Sequence, residues 1–294
     1  MSLFKKLRRP FFYAVSDSAN LKLEQLQSIN ASCLPADIQK KLEGDIKRTS
    51  LGIKGEQNVV FELQNSHMPM LVLQDLYFEH GDLSAQIDFL VITRKCVFVI
   101  ECKNLYGDIL IDSNRKFMRV VDWNTKKTEG MYSPITQNQR HLDLIKALRF
   151  KEKGVFTSEA SFEREFNNVF RPVVVIANDK AVFDAHYAPA DVKALVTYSD
   201  DLVAYIKRVN EHANVPEMSD KQLEALGVFF VSTHVERRVD YAEKYRTQMI
   251  PEDKKVCPKC GKEMVEREAK KGPTAGTTFW GCPGYPKCDG KPPK

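Results

Sequence analysis

Two groups of residues in this chain have the types and spacing for chemistry. The first lies in residues 86–104, QIDFLVITRKCVFVIECKN, where Asp88, Glu101 and Lys103 interrupt apolar runs rich in β-branched residues. A charge on a buried strand is costly unless it is paired or holds a metal. Glu101 and Lys103 are two residues apart, so on a strand they share a face. With Asp88 on the neighbouring strand and the same face, two carboxylates and one ammonium converge. Two hard oxygen ligands suit Mg2+, and a lysine beside them can orient or deprotonate a water. The same residues also fit an ordinary salt bridge at a strand end, with Asp88 in a turn. The second group is Cys257-Pro-Lys-Cys260 with Cys282 and Cys288. Four thiolates in two pairs are the usual supply for a tetrahedral structural Zn2+. Phe279, Trp280 and Tyr285 flank these cysteines, amid Lys259, Lys262, Lys270, Lys271 and Lys287. Aromatic rings give stacking surfaces for bases and lysines meet phosphates. The aromatics also fit as cover for a very small core; Trp280 and Tyr285 are the ones assigned to stacking. Cys102 reads as a buried small apolar residue rather than a nucleophile, and Cys33 and Cys96 read as structural, because neither has a histidine–carboxylate setting nearby.

Positioning the first group requires two adjacent strands, residues 84–92 and 95–102, joined by a short turn. Further strands are expected at 70–78, 107–111, 117–123, 169–177 and 194–198. Helices are expected from Pro134 through Leu148, over 202–209 and over 219–231, the last opened by Ser219-Asp220. Residues 37–63 read as one or two helices with a break near Gly52 and Gly55, Glu56 opening the second. Residues 21–34 carry a first helix, residues 1–20 a poorly ordered arm, and 150–167 an irregular connection with a short helix. This order gives an α/β mixed sheet flanked by helices. The domain reading is an arm and helix over 1–36, a catalytic-type α/β domain over 37–233, a charged linker or helix over 234–254, and a zinc module over 255–294.

The 294 residues are 43% hydrophobic and 28% charged, an ordinary globular composition. Charge is unevenly placed. Of the formal net +5, the stretch from residue 254 onward carries about +6, and the rest is near neutral. A basic tail on a neutral body points to a negatively charged partner, nucleic acid above all. The N-terminal MSLFKKLRRPFFYAV has a basic run but too short an apolar stretch for an export signal, and nothing approaches a membrane span. The expectation is a cytoplasmic protein without membrane attachment, where reduced thiols bind metal before they form disulfides.

The blocks Gly55-Glu56-Gln57-Asn58-Val59, Gln86-Ile87-Asp88, Val97 to Asn104 followed by Gly107, and Pro134-Ile135-Thr136-Gln137 resemble, in that order, the nuclease-related (NERD) domain of the PD-(D/E)XK nucleases. The resemblance covers roughly residues 50 to 150. It implies a restriction-endonuclease-like fold and hydrolysis of phosphodiester bonds with Mg2+ or Mn2+. By the same resemblance, Asp88, Glu101 and the carbonyl of Cys102 hold the metal, and Lys103 activates water. Glu56 holds metal-bound water or a second metal, and Gln137 positions the lysine or a phosphate. His141, one turn after Gln137, is read as a helix-surface or core residue. The C-terminal CPKCGKEMVEREAKKG…FWGCPGYPKC resembles the zinc fingers of type IA DNA topoisomerases. That implies a small zinc ribbon binding single-stranded DNA. A nuclease fold kept as a non-catalytic nucleic-acid scaffold, and a ribbon that contacts proteins, are the alternatives.

Overall fold

A computed structural model of the chain describes residues 8–122, 125, 127–153, 158–249, 256–271 and 276–290. The first residues of the basic arm, Trp123 at the end of an expected strand, and the expected boundary at residues 254–255 lie outside the described residues. In chain order the elements are β1 (Phe11–Ala14), α1 (Ser18–Gln27), α2 (Ala36–Gln64), β2 (Leu71–His80), β3 (Leu83–Ile92), β4 (Val97–Lys103), β5 (Asp108–Ile111), β6 (Phe117–Asp122) and β7 (Lys127–Gly130). Then come α3 (Pro134–Lys153), α4 (Glu159–Val169), β8 (Phe170–Ile176), β9 (Phe183–Asp184), α5 (Ala190–Lys193), β10 (Val196–Tyr198), α6 (Leu202–His212), α7 (Asp220–Thr233), α8 (Glu243–Arg246), β11 (Val265–Glu268) and β12 (Thr278–Gly281). They form two compact units: residues 1–18 with 51–238, and residues 19–50 with 239–294.

The larger unit is built on a six-stranded mixed sheet in the order β1-β2-β3-β4-β8-β10. Strands β2, β3 and β4 are antiparallel; β1, β8 and β10 join parallel to their neighbours. Alternation along the strands feeds two cores. Val97 and Val99 face a layer of α3, α4 and α7 residues such as Ile145, Phe166 and Phe230. Phe98 and Ile100 face the other layer, with Val59 and Leu63 of α2 and Ile206 of α6. A second, four-stranded sheet, β7-β6-β5-β9, follows the end of β4.

The alternation breaks in one place. On β2, Leu71 and Leu73 face the α3 layer, and so do Leu76 and Phe78. On β3, Ile92 and Leu90 face it, and so does Ile87. Each strand slips phase by one residue while the pairing register stays unchanged around the break. Asp75 sits in the β2 break with φ +57°, in the left-handed region that a side chain seldom adopts. Asp88 occupies the matching position on β3. Such irregularities let a strand re-aim one side chain without losing its partner.

Several expectations need correction. Residues 36–64 form one unbroken helix across Gly52 and Gly55. An interior glycine costs a helix only about 1 kcal/mol relative to alanine, which packing readily overrides. At Gly55 packing requires it: a Cβ there would stand 2.5 Å from Cβ of Asn104 and 3.2 Å from Cβ of Ala177. The N-terminal segment is no loose arm from residue 8 onward. β1 pairs with β2, and Ser16 and Ser18 hydrogen-bond to Asp75. α3 runs on to Lys153, and α4 is a full amphipathic helix whose Phe162 and Phe166 are buried. β7, whose residues are all exposed, was not anticipated.

The smaller unit also departs from the expected boundaries, because residues 19–50 group with residues 239–294 rather than with an α/β domain starting at 37. The charged stretch after 236 is not simply solvated. Its Ala242 and Tyr245 are buried among Leu26, Leu34, Ile38 and Leu42, and Met249 packs alongside. Three spaced apolar residues in a charge-dense stretch make a face that composition conceals. The Gln25 amide clamps the segment, donating to the Val239 carbonyl at 3.2 Å and accepting from the Tyr241 N–H at 2.7 Å. The C-terminal part holds the antiparallel pair β11–β12, with Arg267 opposite Phe279 and Glu266 opposite Trp280.

Candidate active site and metal centre

Glu101 and Lys103 lie at the end of β4 on the face toward α3, and the Lys103 ammonium sits 2.6 Å from Glu101 Oε1. Strand alternation alone puts them together. α3 then closes over them. The Lys103 ammonium donates to Gln137 Oε1 at 3.1 Å. One turn on, Nδ1 of His141 is 3.5 Å from Glu101 Oε2. Both of those atoms are buried without a hydrogen-bond partner among the described residues. The register of α3 is fixed by Asn138, fully buried between Gln137 and His141. Its amide donates to the carbonyls of Val99 at 2.8 Å and Val173 at 3.0 Å, straddling β4 and β8.

Continuing the β3–β4 register past Phe89–Ile100 brings Asp88 opposite Glu101. Asp88 Oδ2 accepts the N–H of Cys102 at 2.7 Å. Continuing across β2 places Asp75 next in the same row. Three acids thus line up across three central strands. Asp75 is buried, and its carboxylate accepts from the Ser16 hydroxyl at 2.6 Å, the Ser18 N–H at 2.6 Å, the Ser18 hydroxyl at 2.9 Å and the Gln86 amide at 2.6 Å. Glu56 approaches from α2 and bonds to the Gln74 side chain.

Crowding of acids in a desolvated site sets their protonation. Burial, with the charges of Glu101 and Glu56 added to it, pushes the Asp88 carboxyl well above its usual range. Burial raises Glu101 too, against the opposing pull of Lys103. Glu56 is raised to about 7, mainly by burial and then by the Asp75 charge. His141 falls to about 4 through burial and the nearby Lys103 charge, so its imidazole is neutral at pH 7. A site that disfavours its own carboxylates as anions is one that a cation would complete. Glu56 does not join Asp88 and Glu101 in a tight three-carboxylate cage. Among the described residues, the group of three or more acidic, histidine or cysteine side chains whose ligand atoms all lie within 4.8 Å is the cysteine quartet.

That quartet is Cys257, Cys260, Cys282 and Cys288, with Sγ separations of 3.6 Å for Cys257–Cys288 and 3.4 Å for Cys260–Cys282. Tetrahedral Zn–S bonds of about 2.3 Å put sulfurs roughly 3.8 Å apart, so the cage fits Zn2+. The turn geometry is made by Gly261, at φ +69°, whose N–H reaches the Cys257 carbonyl at 2.9 Å. Gly284 donates its N–H to Cys282 Sγ at 3.3 Å, a contact that favours the thiolate. Of the aromatics, Tyr285 is 64% and Phe279 48% exposed, whereas Trp280 packs partly against the cysteine core. The expected split between Phe279 and Trp280 is therefore reversed in burial. Lys259 pairs with Asp289, and Lys262, Lys270, Lys271 and Lys287 make no ion pair among the described residues.

Sequence reasoning named Glu56, Asp88, Glu101, Lys103 and Gln137, and the structure brings Asp88, Glu101, Lys103 and Gln137 into direct or neighbouring contact. It missed Asp75 and Asn138. A lone acid inside the apolar run MLVLQDLYF was the available signal for Asp75. Nothing local distinguishes Asn138, whose partners are 39 and 35 residues away.

The fold and site define a mixed α/β domain carrying a buried acid–lysine cluster at a break in its sheet, followed by a four-cysteine zinc ribbon. Residues 51–177 match the nuclease-related domain family, NERD, and residues 254–293 match the topoisomerase DNA-binding C4 zinc finger. Residues 51–177 are thus similar to nuclease-related domains, and residues 254–293 to a zinc ribbon whose four cysteines supply a structural Zn2+ site. No curated protein and no solved structure matches it. Among the described residues no helix is long and apolar enough to cross a membrane.

Proposed function

We propose that the protein is a metal-dependent nuclease that hydrolyses DNA phosphodiester bonds, with the ribbon binding single-stranded DNA. The observation that supports this best is the cluster of Asp88, Glu101 and Lys103 at the sheet break, with a buried and unpartnered Glu101 oxygen. Mg2+ or Mn2+, held by Asp88, Glu101 and the Cys102 carbonyl, would supply positive charge against the phosphate oxygens. Lys103 orients the attacking water and offsets charge that builds on the phosphate. Gln137 holds the Lys103 ammonium in place, and Asn138 holds Gln137. Glu56, poised near neutrality, accepts a proton or holds a water at the edge of the site. Attack by water oxygen on phosphorus breaks one P–O ester bond, and the departing oxygen leaves with a proton. The thiolate ligands of the ribbon suit a reducing compartment such as the cytoplasm.

The test is incubation of the purified protein with labelled single-stranded, duplex and branched DNA, with Mg2+, Mn2+ or EDTA. Cleavage that needs the metal supports the proposal; binding without cleavage under every condition overturns it. One observation favours a second reading, a non-catalytic DNA-binding protein on the nuclease scaffold. Glu101 Oε1 and Asp88 Oδ2 already have protein partners, in Lys103 and the Cys102 N–H. The same experiment separates the two.

A further inference from the structure

A cavity of about 440 Å3 opens beside the end of β4. It lies on the α2 side of β4: Asn104 packs against Gly55 of α2, whereas Glu101 and Lys103 face α3. Asn104 follows Lys103, and the Ala177 N–H donates to the Lys103 carbonyl at 2.9 Å. Three asparagines build it, each with its amide committed to a backbone carbonyl of another segment. Asn58 donates to Ala177 at 2.9 Å, Asn104 to Leu51 at 2.6 Å, and Asn178 to Leu105 at 2.7 Å. These ties hold α2, the loop after β4 and the loop after β8 at fixed distances, so the cavity is preformed. The turn at its back is also tight. Gly107 has φ +87°, and a Cβ there would lie 2.6 Å from the Val120 carbonyl oxygen.

The lining has a definite chemical character. Leu51, Leu105, Val120 and Val121 supply apolar surface, and the Tyr106 ring stands 66% exposed. Lys54 on α2 and Lys180 after β8 are exposed and make no ion pair among the described residues. Asp108 accepts the Val182 N–H at 2.7 Å, which leaves Asp179 as the exposed carboxylate of the lining. An apolar slot with one aromatic face, two ammonium groups and a few polar edges matches a nucleotide: a flat base and its flanking phosphates. Its volume suits one such unit.

We infer that this cavity receives one unpaired nucleotide of the bound strand, beyond the end of β4, its base stacked on Tyr106 and its phosphates met by Lys54 and Lys180. The inference rests on the nuclease reading for its purpose. It specifies the substrate as a strand whose base is out of the duplex. A slot of this volume between α2 and the two loops holds one base and not a base pair, so single-stranded or frayed DNA is the favoured form.

The experiment uses the full chain and a short single strand carrying one 2-aminopurine, whose fluorescence reports stacking. Binding is followed without added divalent metal, so a failure of catalysis leaves the measurement intact. It is repeated in the Phe279→Ala/Tyr285→Ala protein to remove the exposed stacking rings of the ribbon. The expected result is a fluorescence change that persists in Phe279→Ala/Tyr285→Ala, is retained by Tyr106→Phe, and weakens in affinity about 5- to 150-fold in Tyr106→Ala. Lys54→Ala and Lys180→Ala should weaken binding with a shallower salt dependence. The same probe inside a fully paired duplex should show no Tyr106-dependent signal. Unchanged binding by all three alanine variants, or an equal Tyr106-dependent signal from the duplex, would overturn the inference.

Discussion

Glu56 offers a quantitative test of how the acid cluster is built. Its carboxyl is raised from an ordinary 4.5 to about 7, by burial first and by the Asp75 charge second. A carboxyl raised on folding binds its proton more tightly in the native state than in the unfolded chain. Its contribution is fully present below the unfolded value and is lost as pH rises through the folded one. At about 1.4 kcal/mol per unit, the whole difference is about 3 kcal/mol, and most of it falls between pH 5 and pH 8. Glu56→Gln keeps the size and the hydrogen bond to Gln74 while removing the titration. The variant should match the wild type closely at pH 5 and exceed its stability by about 2–3 kcal/mol at pH 8. Urea unfolding followed by circular dichroism, without divalent metal, measures both. A stability difference that does not change with pH would refute the assignment of Glu56 to a desolvated, acid-crowded position. With Mg2+ added, the wild type should recover part of the deficit at pH 8, since a cation restores the ionised form.

Other outcomes follow from the same geometry. Lys103→Ala and Asp88→Asn should each abolish metal-dependent cleavage while leaving the circular dichroism spectrum unchanged, and cutting at the wild-type rate by either would remove that residue from the mechanism. Glu56→Ala should be milder in the same cleavage assay, because Glu56 stands outside the Asp88–Glu101 pair. Deleting residues 254–294 should weaken DNA binding and flatten its salt dependence, with Tyr285→Ala, whose ring is the most exposed on the ribbon, reproducing about 1–3 kcal/mol of the loss in a titration with single strands. Gly55→Ala forces its Cβ onto Asn104; it should lower stability by about 1–3 kcal/mol and cleavage along with it, and a silent variant would show that α2 can shift. Cys257→Ala should lose the bound zinc, read by metal analysis after dialysis, while the main sheet keeps its own unfolding transition.

Much of the site was legible because strand periodicity is local. Glu101 and Lys103 are two positions apart, and any strand places them side by side. The apolar runs around Asp88 and Glu101 marked β3 and β4 within a residue or two. Four cysteines at these spacings, with glycines at the turns, specified the zinc cage without a fold. Pattern also suggested which helix would carry Gln137. It could not say that His141 would be buried against Glu101, because a single histidine one turn away has no local signature of its partner.

What tertiary structure decided was everything set by distant contacts. Residues 36–64 carry three glycines and still form one helix, because packing on Asn104 and Ala177 outweighs propensity. The phase slip at Asp75 and Asp88 needs both strands in register before it exists at all. Asn138 acquires its meaning only when β4 and β8 lie side by side beneath it. Residues 239–249 look like a solvated linker until Leu26 and Leu42 provide a surface for Ala242 and Tyr245. Sequence fixes periodicity and ligand chemistry, which depend on neighbours along the chain. Burial, strain and pKa depend on neighbours in space, and those exist only once the sheet has formed.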